Sequence, residues 1–312
     1  MLQTHTIEAA DVDKRLDVFL TEHQTGVSRT KIQKAVKAGE VKVNGKKVTP
    51  HLALRLGDTV EVLADLTPAD PNAPLEPRKD ILFEVLHRDD DILVVDKPSG
   101  LLVHPDVAGE TTSLANGLVA HFPEIADVGE NRQRPGIMHR LDKEASGLLV
   151  IARNQRAYEA LKEQFKTHTV DKTYLVLVQG VPLKDEATIT FPIGRMKGSG
   201  RMAARSEMHE GDRDAVTHYK TIEKFANSAL LEVRTETGRT HQIRVHLKAI
   251  GHPVAGDILY GNDAAKELPT KRLFLHSTAL SFTHPSTGER ISFTRAMPVE
   301  LERTLATLRN GG

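Results

Sequence analysis

The chain has 312 residues, enough for two domains, with 39% apolar residues to build cores and 27% charged residues. It has no cysteine, which excludes disulfides and thiolate-held metals, and no tryptophan with few other aromatics, so its cores must be aliphatic. Lys plus Arg and Asp plus Glu balance at 42 each, leaving a polyanionic partner to be argued from where the charge lies; no apolar run reaches membrane length, no leader pattern opens the chain, and a cytoplasmic location is expected.

Residues 15–24 (RLDVFLTEHQ) predict a short helix with Leu16, Phe19 and Leu20 on one face. Ser28 caps a second helix through Ala38, stopped by Gly39, with Ile32, Ala35 and Val36 as its apolar stripe. Val41 to Val43 and Lys46 to Val48 flank Asn44-Gly45, a strong two-residue hairpin signal, and Leu54 to Leu63 supplies a turn and another strand. Between Val27 and Pro50 stand seven Lys or Arg against one acid, Glu40. Such a face suits phosphate-backbone contact, with Lys31, Lys34, Lys37, Lys42, Lys46 and Lys47 as the candidate residues. Pro68, Pro71, Pro74 and Pro77 then punctuate a stretch without apolar periodicity. It reads as a semi-rigid linker over 67–80, separating a module at 1–66 from a domain at 81–312.

The second domain is expected to open with strands at Ile81 to Leu86 and Ile92 to Val95, followed by Lys97-Pro98-Ser99-Gly100 and a helix over Thr112 to Phe122. His139, Arg140, Leu141, Asp142 and Lys143 precede an apolar strand at Leu148 to Ala152. A carboxylate set among cations at the mouth of a buried strand is a candidate for chemistry, since the cations favour its ionised form. An amphipathic helix covers Gln155 to Lys166, and strands cover Lys172 to Val178 and Glu186 to Ile193. Arg195 to Arg205 is a basic hairpin tip, and strands resume at Thr217 to Ile222 and Leu230 to Val233. Gly238-Arg239-Thr240-His241-Gln242-Ile243-Arg244 opens a helix ending near Gly251; strands at Leu273 to Phe282 and Ile291 to Thr294 and a last helix at Val299 to Leu308 complete the chain. Many strands without regular strand–helix alternation indicate an α+β domain on a mostly antiparallel, mixed sheet.

Several chemistries do not fit. There is no H-E-x-x-H, and His241 and His246 are five apart, off one helix face, so no metal site is expected. Ser146 lies in A-S-G rather than a nucleophile elbow, and Asp142 and Glu144 alternate, so paired carboxylates for glycoside hydrolysis are not evident. One carboxylate, one strand aromatic (Tyr174) and one Arg on a Gly-led helix (Arg244) remain.

These stretches resemble the motifs of the RluA family of RNA pseudouridine synthases. HRLDKEASGLLVIAR resembles its signature, KTYLVLV its second motif, and GRTHQIRVH followed by GHPVAGDILYG its third; DKPSGLLVHP matches a further segment. Residues 15–48 resemble the αL-motif RNA-binding module, two helices and a basic hairpin. The match runs in family order from Arg15 to about Met297, and Ala126 to Val128 and Ala215 to Tyr219 favour the RluD-like branch acting on large-subunit ribosomal RNA. Ala145 and Asp96 depart from residues common in the family, Thr and Asn.

The resemblance implies a pseudouridine synthase fold with an N-terminal αL-motif domain, no cofactor, and RNA as partner to a monomer without a membrane role. It implies Asp142 as the essential carboxylate, Arg244 as its partner, Tyr174 stacked on the uracil, Arg140 entering the base stack and Leu275 at the pocket floor. Asp142 has two routes open to it, nucleophilic attack or removal of a sugar proton. His139 reads as structural. A non-catalytic RNA-binding factor on the same scaffold is the second reading, and a base-removing glycosidase a third.

Overall fold

Alternating and helical apolar patterns separate into two compact units in the computed structural model, which describes residues 3–66, 73–105, 112–196, 198 and 200–311. One unit comprises residues 1–74 with 105–111, and the other residues 75–104 with 112–312. Part of the expected linker, 67–72, lies outside the described residues, as do two residues of the basic hairpin tip, 197 and 199. Leu75 belongs to the core of the second unit, and the Asn116 side chain donates to the Glu76 carbonyl at 2.9 Å.

In the first unit, α1 (Leu16–His23) and α2 (Arg29–Ala38) pack their apolar stripes on a four-stranded sheet of order β1-β4-β2-β3, from β1 (Gln3–Thr6), β2 (Val41–Val43), β3 (Lys46–Lys47) and β4 (Thr59–Val62). Ser28 accepts from the Lys31 N–H and Gly39 ends α2 in the left-handed conformation, as the helix signals predict. A side chain at Gly39 would also meet that of Lys47. Asn44 and Gly45 both have positive φ, the geometry of the tight hairpin turn expected there.

The second unit is built on a nine-stranded sheet. It contains β5 (Glu84–Arg88), β6 (Ile92–Lys97), β7 (Ser146–Ala152), β8 (Asp171–Gln179), β9 (Glu186–Ile189), β12 (Thr217–Lys224), β13 (Ser228–Thr235), β14 (Leu275–Thr283) and β15 (Arg290–Thr294). The order is β5-β6-β7-β14-β8-β13-β12-β9, with β15 also on β14. Among the described residues β7 and β14 pair in parallel and the other ladders are antiparallel, the mixed, mostly antiparallel sheet the sequence predicts. A separate ribbon joins β10 (Ile193–Arg195) and β11 (Met202–Ala204).

Helices α3 (Leu114–His121), α4 (Gln155–Lys166), α5 (Gln242–Ala249), α6 (Asp263–Glu267) and α7 (Val299–Asn310) complete this unit. The strand expected over Glu186 to Ile193 is a correction: β9 ends at Ile189, and after Pro192, which has no N–H for a ladder, the chain enters the ribbon. Among the described residues no helix is long and apolar enough to cross a membrane.

Candidate active site

The loop carrying Asp142 is held from behind. The fully buried Lys97 ammonium donates to the carbonyls of Pro98 (2.8 Å), Leu101 (2.8 Å) and Lys143 (3.0 Å), so the residue after Asp142 is fixed to the end of β6. The Gly100 N–H adds a second bond to the Lys143 carbonyl, and the Ser99 hydroxyl donates to the Glu144 carbonyl at 2.7 Å. The loop then enters β7 at Gly147, whose φ is +113° and where a Cβ would fall 2.2 Å from the Ser277 carbonyl oxygen. Only glycine lets the parallel neighbour β14 approach this closely. Burial pushes the Lys97 ammonium down to about 7, while three carbonyls accept hydrogen bonds from its three N–H groups.

The third segment enters α5 without an ordinary cap. His241 sits at the N-cap in the left-handed conformation, φ +55°. The Gln242 side chain ties the approach together. It accepts from the Thr237 hydroxyl (2.7 Å) and the Arg239 N–H (3.0 Å), and donates to the Val216 carbonyl (2.9 Å) and the Thr217 hydroxyl (3.0 Å). One turn on, Arg244 points at the Asp142 loop. Its Nη1 donates to Asp142 Oδ2 at 3.0 Å, and its Nε and Nη2 grip both oxygens of Asp257 at 2.7 and 2.8 Å. Asp257 is buried and also accepts the N–H groups of Leu259 and Tyr260, both at 2.9 Å.

Burial alone would lower Arg244, but Asp257 and Asp142 hold it well above its ordinary value. Burial alone would raise Asp257, and Arg244 with the two N–H groups holds it below the usual carboxylate range. The guanidinium is therefore a fixed cation, aimed by a second carboxylate and presenting its remaining edge to Asp142.

A cavity of about 60 Å³ lies over Asp142, lined also by Tyr174, Arg140, Leu275, Arg244 and His241. Tyr174 is 9% exposed on β8, and Leu275, 5% exposed, begins β14 alongside, its Cα opposite Val176. Burial pushes the Tyr174 hydroxyl up to about 12, against a hydrogen bond with Thr235. Arg140 is exposed, with Nη1 3.4 Å from His104 Nε2. His241 Nδ1 lies 2.7 Å from the Tyr260 hydroxyl, and burial, opposed by Asp142, lowers its ring. Its Nε2 is 4.0 Å from Asp142 Oδ1.

The five residues expected at the catalytic centre thus line one cavity, while Lys31, Lys34, Lys37, Lys46 and Lys47 are exposed in the first unit. Arg29, counted with that basic face, is instead engaged by the buried Asp17 together with Arg15 and Gln33. His139 accepts the Val150 N–H at 3.0 Å and stacks on Phe165 at 4.6 Å, a structural placement. Sequence reasoning missed Asp257, Tyr260, His241 and Lys97 as parts of the site. Asp257 and Tyr260 stand in the family-like GHPVAGDILYG, Lys97 in DKPSGLLVHP and His241 in GRTHQIRVH, but local pattern does not say which partner each polar residue meets.

Asp142 in the loop before β7, the buried Tyr174 on β8 and the doubly held Arg244 on α5 thus meet at a common cavity. A family model described as RNA pseudouridylate synthase matches residues 91–249, and one described as the S4 domain matches residues 14–60. An uncharacterised RNA pseudouridine synthase of Bacillus subtilis, YlyB, is 39% identical over 96% of this chain and 95% of that protein. Ribosomal large subunit pseudouridine synthase D of Xanthomonas campestris is 38% identical over 95% of this chain and 89% of that protein. Human RNA pseudouridylate synthase domain containing 1 superposes with a TM-score of 0.57 at 28% identity, covering 75% of this chain and 97% of that one.

The chain belongs to the RNA pseudouridylate synthase family, as an RluA-type, RluD-like member with an N-terminal S4 domain. It is an isomerase, an RNA pseudouridine synthase, and its partner is RNA.

Proposed function

We propose that the protein isomerises specific uridines of large-subunit ribosomal RNA to pseudouridine in the cytoplasm, as a monomer, with Asp142 as the essential carboxylate. The observation that carries this reading is the Asp142 carboxylate at the cavity shared with Tyr174 and Leu275, bonded to an Arg244 that Asp257 holds in place. Relatives named as large-subunit synthases support the choice of RNA. The reaction breaks the bond from base nitrogen 1 to the anomeric carbon, turns the base and joins carbon 5 to that carbon; carbon 5 then gives up its proton and nitrogen 1 ends protonated, so atoms and electrons balance within the nucleotide. Asp142 attacks or removes a proton, Arg244 holds it aimed, Tyr174 and Leu275 keep the detached base in place, and Arg140 fills the stack that the flipped nucleotide leaves. Residues 1–66 serve as the docking module, joined through 67–80 to the catalytic domain at 81–312, with Lys31, Lys34, Lys37, Lys42, Lys46 and Lys47 on RNA phosphates.

The test is pseudouridine mapping of large-subunit ribosomal RNA from cells with and without the protein, and with Asp142→Asn. Sites that vanish on deletion and stay absent with Asp142→Asn support the reading, with RNA binding by the variant nearly intact. Pseudouridine formed by purified Asp142→Asn would sink the assignment.

A further inference from the structure

Beside the cavity over Asp142 opens a second cleft of about 480 Å³, and Tyr174, Arg140 and Thr235 line both. Lys172 lines this cleft. It stands two residues before Tyr174 on β8, hence on the same face of the strand. The residue is 8% exposed, yet among the described residues its ammonium makes one hydrogen bond, to the Glu236 carbonyl at 3.3 Å. An ammonium has three donors, and a buried cation without a counter-charge is costly.

Asp171, its chain neighbour, pairs with Arg290 instead, and among the described residues no carboxylate lies within ion-pair distance of Lys172. The cleft's one acid, Glu236, directs its carboxylate to His218 at 2.7 Å. The other lining charges include Arg140, Lys166 and Arg239.

We infer that this cleft is a subsite for one backbone phosphate of a nucleotide next to the target uridine, with Lys172 as the buried donor. The inference rests on the synthase reading above and concerns which part of the RNA the enzyme grips. Phosphate is the anion that every nucleotide brings, and it supplies the acceptors that Lys172 lacks. A second base fits the cleft less well, because its aromatic, Phe165, already has His139 stacked at 4.6 Å and Lys172 5.8 Å from the ring centre. Burial, opposed by Asp171, pushes the Lys172 ammonium down to about 8, the cost that an arriving phosphate removes.

The experiment uses the full-length protein and the RNA segment in which it forms pseudouridine. Neutral methylphosphonates replace the phosphates around the target one at a time. Wild-type protein should lose about tenfold in affinity at one position. Lys172→Met should lose a similar factor on unmodified RNA, with KM rising more than kcat falls, and show no further loss at that same position. Its salt slope should be shallower by about 0.7, one single-strand phosphate contact. Lys172→Arg, which keeps the donor, should recover part of the loss. Wild-type turnover of unmodified RNA, scored in the same assay, tests the synthase reading by itself. With that turnover intact, equal wild-type sensitivity at every phosphate overturns the subsite, even if Lys172→Met does not fold. So does a folded Lys172→Met that keeps the same position-specific loss.

Discussion

At Asp142 the charge balance is local and unequal. One guanidinium serves two carboxylates, and Asp257 takes two of its hydrogen bonds while Asp142 takes one. The buried partner therefore fixes Arg244 geometrically, and the cavity-facing partner receives a cation that cannot wander. Tyr174 completes the cavity with a ring whose hydroxyl burial pushes up to about 12. The stacking role proposed for its ring separates two substitutions. Tyr174→Phe should retain measurable turnover, whereas Tyr174→Ala should lose roughly 1–3 kcal/mol of base stacking and with it most activity. Single-turnover rates on one RNA decide this: equal, near-zero rates for both variants would return the chemistry to the hydroxyl, and an alanine variant as fast as wild type would leave Tyr174 a core residue.

At the scale of elements, helices were more legible than the tie points between them. Helix α4 lies where its apolar period places it, Gln155–Lys166, because Asn154 caps it and one face is buried. The edge strand β1 escaped notice because Gln3–Thr6 is polar and largely exposed, and α6 because five residues carry little periodicity. The insertion of β14 between β7 and β8 is set by packing across more than a hundred residues, which no local pattern encodes. The same limit hid Asp257: local sequence names a carboxylate but not the arginine it meets. Lys97 is the tie between β6 and the Asp142 loop. Lys97→Met should remove the side-chain donor from three carbonyls, of which, among the described residues, only that of Lys143 keeps another, the Gly100 N–H, at about 0.5–1.5 kcal/mol per hydrogen bond lost, and lower stability and kcat together. Calorimetry beside kinetics checks this, and an unchanged melting point would refute it. His139 adds a pH dependence. Burial and Lys172 push its ring from 6.5 down to about 3, so the unfolded chain takes up the proton first. Its contribution to stability is whole above about 6.5 and is lost as pH falls toward 3. Urea midpoints across that range should fall less steeply in His139→Gln than in wild type, and parallel curves would show that another group dominates.

At the scale of the whole molecule, a neutral net charge conceals a division of labour. The cavity unit carries the paired charges of the active site, whereas in the S4 unit Lys31, Lys34, Lys37, Lys46 and Lys47 are exposed, and the arginine nearest them, Arg29, is engaged with Asp17. Lysine ammoniums on an exposed face act on phosphate through screened electrostatics, so their contribution must fall as salt rises. Replacing Lys31, Lys34 and Lys37 with Gln in the full-length protein should leave Asp142, Tyr174 and Arg244 untouched and single-turnover rates at saturating RNA close to wild type. Affinity should fall, and the log–log salt slope should become shallower by about 0.7 to 0.9 for each phosphate contact removed. Adding Lys46→Gln and Lys47→Gln should flatten it further. A chain beginning at Leu75 should bind more weakly still and choose its uridines less strictly, because nothing then sets the register of the RNA. The deciding measurement is affinity against salt for all four proteins on one RNA. Parallel lines of equal height would mean that the S4 unit does not hold this RNA, and that its lysines are a solvated face or meet protein in an assembling ribosomal particle.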